Sequence, residues 1–167
     1  MIKTFNSLLV TMFGLGKIKF MPGTFGSLAT VIFLFYLFHT LNISSNIILT
    51  GWIIIFIYSF YAVSIHTKNS KNKDPGEIII DEFLGQSIPI YLYEISHGTT
   101  KEDNEAITYY ALFFILFRYF DIMKPFPVSF FDKNFKNSFG VIMDDICAGL
   151  YVVLTLVCFM IVKSYVL

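Results

Sequence analysis

Carboxylates interrupt apolar runs at two places in this sequence, and a third stretch mixes acid with base. The first is Ile78-Ile79-Ile80-Asp81-Glu82-Phe83-Leu84-Gly85 and the second is Val141-Ile142-Met143-Asp144-Asp145-Ile146-Cys147-Ala148-Gly149. Between them lies Arg118-Tyr119-Phe120-Asp121-Ile122-Met123-Lys124-Pro125-Phe126-Pro127. An ionised group at the centre of a membrane helix costs ~2.5–3.5 kcal/mol on insertion scales, so such groups are retained where they pair or hold an ion. Two adjacent acid pairs also repel each other unless a cation lies between them. Oxygen-only donors suit a hard divalent ion, magnesium or manganese, in preference to zinc or copper. Asp81, Glu82, Asp144 and Asp145 are therefore the expected metal ligands, and a magnesium site of this kind is suited to meeting a phosphate. The bland alternative is a structural ion-pair network of the same acids with Arg118 and the lysines.

Arg118, Asp121 and Lys124 recur every third residue, so neighbours share a helix face. Pro125 disfavours helix at Lys124 and should end that helix there. Alone, this stretch reads as an interfacial helix end with snorkelling cations. Gly85 lies four residues after Asp81, and Gly149 four after Asp145, which places each glycine on the face of a carboxylate. A glycine at such a place lets a second helix come close. Upstream, Met21-Pro22-Gly23-Thr24-Phe25-Gly26-Ser27 precedes a long apolar run. Thr24 or Ser27 could cap a helix there, and free N–H groups at a helix start bind phosphate.

The elements that must carry these residues follow from composition. Apolar residues make up 56% of the 167 and charged residues 14%, against roughly 45–50% and about 25% in soluble domains. A chain of this size could not hide that much apolar surface in water, so the expected class is an all-α, multi-pass integral membrane protein of one domain, residues 1–167. Five segments are apolar enough to enter a bilayer: Phe25–Leu41, Asn46–Ile65, Ile78–Ile95, Ala106–Tyr119 and Val141–Val162. A perpendicular crossing needs ~20 apolar residues. The uncharged parts of the third and fourth fall short, which leaves four or five embedded helices. The N-terminal run Leu8–Gly16 has no small-residue cleavage site after it and reads as an interfacial or buried helix that stays attached. Asp74-Pro75-Gly76 marks a turn.

With five alternating crossings and the N-terminus inside, Lys3, Lys17, Lys19, Lys68, Lys71, Lys73, Arg118, Lys124, Lys133 and Lys136 fall on the inner face, leaving only Lys101 and Lys163 outside. That asymmetry is the positive-inside pattern. The same topology brings Asp74, Glu77, Asp81, Glu82, Asp121, Asp132, Asp144 and Asp145 to the inner side, although acids took no part in choosing it.

Several classes drop out. Formal net charge is zero, so no basic field points to nucleic acid. Cys147 and Cys158 lie in one apolar helical stretch, ~16 Å apart, too far to pair. His39, His66 and His97 are scattered, without zinc spacing. The D-G-x-x-A-R pattern of CDP-alcohol phosphatidyltransferases, the S-G-H element of histidine lipid phosphatases and the D-x-D of haloacid-dehalogenase phosphatases are all missing. A small cation transporter is the rival from another class, but its path should carry polar groups across the full depth.

Taken in order, Pro22-Gly23-Thr24-x-Gly26-Ser27, Asp81-Glu82-Phe83-x-Gly85, Arg118-x-x-Asp121-x-x-Lys124-Pro125-x-Pro127, Phe131-Asp132-Lys133-Asn134 and Asp144-Asp145-x-x-Ala148-Gly149 resemble the phosphatidylglycerophosphatase A family. The resemblance runs from about Gly14 to about residue 160. It implies a compact fold in which helices surround a central one. It also implies a magnesium-dependent phosphatase that converts phosphatidylglycerophosphate to phosphatidylglycerol in a bacterial inner membrane, with its site facing the cytoplasm. On that reading Asp81, Glu82, Asp144 and Asp145 ligate Mg2+. Lys124 and Arg118 hold the phosphate, with Gly23, Thr24 and Ser27 adding donors. Asp121 orients Lys124, ligates metal or acts as a base.

Overall fold

The computed structural model describes residues 2–68, 75–97 and 103–166. Lys71, Lys73 and Asp74 of the expected turn, with Lys101 and Glu102, lie outside the described residues. Seven α-helices and no strand occur among those described: α1 Ile2–Val10, α2 Pro22–Phe35, α3 Ser45–Thr67, α4 Ile80–His97, α5 Asp103–Met123, α6 Val128–Asn134 and α7 Ser138–Val166. Four stretches are long and apolar enough to cross a membrane, Pro22–Thr40, Ser45–Thr67, Asn104–Met123 and Ser138–Val162.

The third expected segment, Ile78–Ile95, became α4, and it is the central helix. It packs on α2, α3, α5 and α7, most extensively on α7. Ile80, Leu84 and Ile90 on it are buried, but so are Asp81, Gln86 and Ser87. A helix wrapped by other helices does not need the hydropathy of one that faces lipid, which is why its apolar run is short and tolerates Pro89. The fourth segment, Ala106–Tyr119, is longer than its uncharged part suggested. It extends over Asp103–Met123 because Glu105 lies in the first turn and Arg118 and Asp121 in the last two.

The α4–α7 contact depends on two glycines. A Cβ on Gly85 would collide with the Asp145 carbonyl, and one on Gly149 with the Gly85 carbonyl. The backbones therefore touch, and the two acid pairs arrive side by side. The start of α4 is tied down from three directions. Ile79 N–H donates to Val10 O at 2.9 Å, Gly16 packs on the Glu77 carbonyl, and His66 Nε2 lies 2.8 Å from Glu77 Oε1.

The N-terminal run is helical only as far as Val10, with a 3-10 turn at Leu15–Lys17. α1 lies against α3, where Tyr58 donates to Asn6 Oδ1 at 2.7 Å. α6 had no counterpart in the expected segments. It is short and rich in phenylalanine, and its order comes from packing on α7 rather than from its own length. At the end of the bundle away from the acid pairs, Tyr110 donates to Glu94 Oε1 at 2.8 Å. His39 Nε2 lies 3.2 Å from the same oxygen. Glu94 is thirteen residues beyond Asp81 on α4, ~20 Å along the helix.

Candidate active site

A cavity of about 360 Å³ opens at the end of the bundle where α2, α4 and α7 begin and α5 ends. Met21, Pro22, Gly23, Thr24, Asp81, Glu82, Arg118, Asp121, Lys124, Asp144 and Asp145 line it, together with Gly76, Ile78 and Ile122. Four remote parts of the sequence thus meet in one cavity, and every expected site residue except Ser27 contributes to its wall.

The two acid pairs are built alike. Glu82 N–H donates to Asp81 Oδ1 at 3.1 Å, and Asp145 N–H donates to Asp144 Oδ1 at 3.0 Å. In each pair the first acid caps its own neighbour and the second is free to turn inward. Carboxylate oxygens of Asp81, Glu82 and Asp145 lie within 4.8 Å of one another. Asp121 also faces Asp145. Asp144, the fourth expected ligand, turns elsewhere: its Oδ2 accepts from Lys124 Nζ at 2.8 Å.

The cations divide between partners in a way that spacing did not indicate. Asp121 pairs with Arg118, Oδ2 to Nη1 at 2.7 Å, rather than with Lys124. α5 stops at Met123 as Pro125 requires, and Lys124 enters the left-handed region with φ 44. Few residues other than glycine adopt that conformation. It swings the lysine off the helix face shared with Asp121 and toward α6 and α7, where Asp132 Oδ1 accepts from Nζ at 2.6 Å. Asp132 is the site-forming residue without an expected role. Its signals in the sequence were membership of the Phe131–Asn134 motif and its place among the acids brought to the inner side. Burial alone would lower the Lys124 pKa, but the hydrogen bonds to Asp132 and Asp144 outweigh it and hold the ammonium above its ordinary value. A raised folded-state pKa contributes stability that is complete below the unfolded value and is lost as pH rises through the folded one. Stability measured by thermal unfolding should therefore show no loss from Lys124 up to about pH 9, below the ordinary lysine value of ~10.4.

Thr24 and Ser27 do not cap α2. The helix begins at Pro22, with Met21 before it in the left-handed region and no side-chain cap. Pro at the first position suits a helix start. Thr24 N–H is already given to Met21 O at 3.0 Å. Ser27 donates back to Gly23 O at 2.9 Å and accepts from Arg118 Nη1 at 3.4 Å. Gly23 has a steric role, since a Cβ there would collide with Glu82 Oε1. Cys147 and Cys158 are free thiols, as the helix spacing required.

A family model described as phosphatidylglycerophosphatase A matches residues 8–160. A Haemophilus influenzae phosphatidylglycerophosphatase A is 36% identical over 147 residues, covering 88% of this chain and 83% of that protein. The Escherichia coli phosphatidylglycerophosphatase A is 32% identical over 143 residues, 85% and 76% of the two chains. A Bacteroides thetaiotaomicron protein provisionally named as a phosphatidylinositol-3-phosphatase is 33% identical over 147 residues, 86% of each. No solved structure matches the chain. The motifs that gather around this cavity fall within the matched span, and the chain belongs to the phosphatidylglycerophosphatase A family of enzymes.

Proposed function

We propose that the chain hydrolyses the terminal phosphate of phosphatidylglycerophosphate with the help of Mg2+, at the cytoplasmic face of a bacterial inner membrane. One observation carries this reading: three carboxylates within ligand distance of one another share a cavity with Arg118 and Lys124. The donor set fits a hard divalent ion, being all oxygen, and Glu82 Oε2 is buried without a hydrogen-bond partner among the described residues. Asp81, Glu82 and Asp145 would hold the ion, which when bound polarises phosphoryl oxygens.

The protein's own groups do the rest. Lys124 and Arg118 offer N–H donors to the remaining phosphate oxygens and offset charge as the ester bond breaks. Asp132 and Asp144 position Lys124, while Asp121 positions Arg118. Gly23 and Thr24 bring the start of α2 to the cavity wall, and free N–H groups of a helix start suit a phosphate. A lipid phosphate lies at headgroup depth, where a cavity at the ends of membrane helices meets it without drawing the lipid out of the bilayer. The cytoplasmic orientation is supported by Lys17, Lys19, Lys68, Lys133 and Lys136, which all sit in connections or helix ends on the cavity side.

The test is phosphate release from phosphatidylglycerophosphate in mixed micelles by the purified protein, with Mg2+ and then with chelator. Release that stops on chelation and returns with Mg2+ is expected. No release from folded protein would overturn the substrate, and release indifferent to chelator would overturn the metal. The Bacteroides relative supports a second headgroup, so phosphatidylinositol 3-phosphate belongs in the same assay.

A further inference from the structure

Gln86 lies one turn beyond Glu82 on α4, at the i+4 position that shares its face. It is fully buried, and neither Nε2 nor Oε1 has a hydrogen-bond partner among the described residues. A buried amide left in that state is costly, because it has given up water without a replacement. Two further orphans, Glu82 Oε2 and Arg118 Nε, belong to side chains that line the cavity, and α4 meets α5 beside them, where a Cβ on Gly85, the residue before Gln86, would touch the ring of Phe117, the residue before Arg118. Glu82 and Arg118 are themselves adjacent, since Glu82 Oε1 and Arg118 Nη1 both crowd the space beside Gly23.

The four atoms are chemically complementary. Arg118 Nε–H is a donor and Gln86 Oε1 an acceptor; Gln86 Nε2–H is a donor and Glu82 Oε2 an acceptor. One glutamine can therefore link the guanidinium to the carboxylate and satisfy all four groups. We propose that Gln86 is a positioning residue of the active site, bridging Arg118 and Glu82 in the working enzyme. It touches neither phosphate nor metal; it is absent from the cavity wall. Through Glu82 it fixes the direction of a metal-facing carboxylate, and through Arg118 that of a phosphate-facing cation. A leucine or methionine would fill the space more cheaply if packing were its only duty.

This inference rests on the metal-site reading above, and its test separates the two. Mn2+ binding to the protein in detergent is measured by electron paramagnetic resonance, alongside thermal unfolding and the kinetics of phosphate release. Partners of metal ligands typically contribute ~10–100-fold in affinity or activity. Gln86→Met is expected to weaken Mn2+ binding by about that factor and to lower kcat more than it raises KM, with an unfolding temperature equal to or above that of the unsubstituted protein. If Met perturbs the fold, Gln86→Leu is read in the same way. Unchanged Mn2+ affinity and unchanged kcat in a folded variant would overturn the bridge. Absence of Mn2+ binding in the unsubstituted protein would instead overturn the metal site itself.

Discussion

Asp145→Asn should lower kcat/KM for phosphatidylglycerophosphate about a thousandfold, because a metal's charge stabilisation is worth several kcal/mol and each ~1.4 kcal/mol is tenfold in rate. Asp145 is 3% exposed, so water cannot stand in for the lost ligand. It is also the member of the carboxylate group that α7 contributes, whereas Asp81 and Glu82 both come from α4. On the proposed metal reading, removing its charge would leave the ion held from one side only. Asparagine keeps the size and the N–H to Asp144, so helix packing should survive, and thermal unfolding in detergent checks that it does. A purely structural ion-pair network predicts the opposite result. There, relieving repulsion among buried acids would leave any activity untouched and raise the unfolding temperature.

The largest effect on stability is expected from Gly85→Val. Its side chain would enter the space held by the Asp145 carbonyl and the Phe117 ring. Carbonyls of a helix cannot rotate away, so α4 and α7 would have to separate along their closest contact. Overpacking costs ~1–3 kcal/mol where side chains can yield, and more where backbone must move. The variant should lose activity and unfold well below the unsubstituted protein. Gly51→Ala is the matched control. Gly51 is also mid-helix, in α3, but nothing lies within 4 Å of the position a Cβ would take. Replacing it should stabilise by about 0.5–1 kcal/mol, the usual gain of alanine over glycine inside a helix. Thermal unfolding of the two variants side by side separates steric contact from helix propensity.

The residues that gather at the cavity were visible in the sequence because burying charge in an apolar helix has few solutions, and those solutions leave carboxylates in an otherwise lipid-like run. Gly85 and Gly149 were legible for a related reason: a small residue one turn from an acid predicts a close helix neighbour, and each packs on the other's helix. What could not be read was how the polar groups share partners. Helical spacing put Lys124 with Asp121, but the chain leaves the helix at Lys124, and one residue of left-handed backbone redirects the side chain to Asp132 and Asp144. Local periodicity carries no information about such an exit. α6 was hidden because seven residues are too few to show a period, and its partner surface is on α7. Thr24 or Ser27 could have capped α2 by residue type, yet Pro22 fixes the helix start two residues before Thr24.

Asp81 and Glu94 stand ~20 Å apart along α4, whereas the hydrocarbon of an ordinary bilayer is ~30 Å thick. The four stretches able to cross it run to 19–25 residues, ~28–38 Å, which is enough to cover that thickness. With the acid pairs at headgroup depth, the Glu94 layer is therefore held inside the hydrocarbon by the helices around α4. Its hydrogen bonds to Tyr110 and His39 then stand where lipid offers no substitute partner. Polar groups at that depth are insulated by protein, so a bundle that opened there would expose them to a solvent unable to receive them.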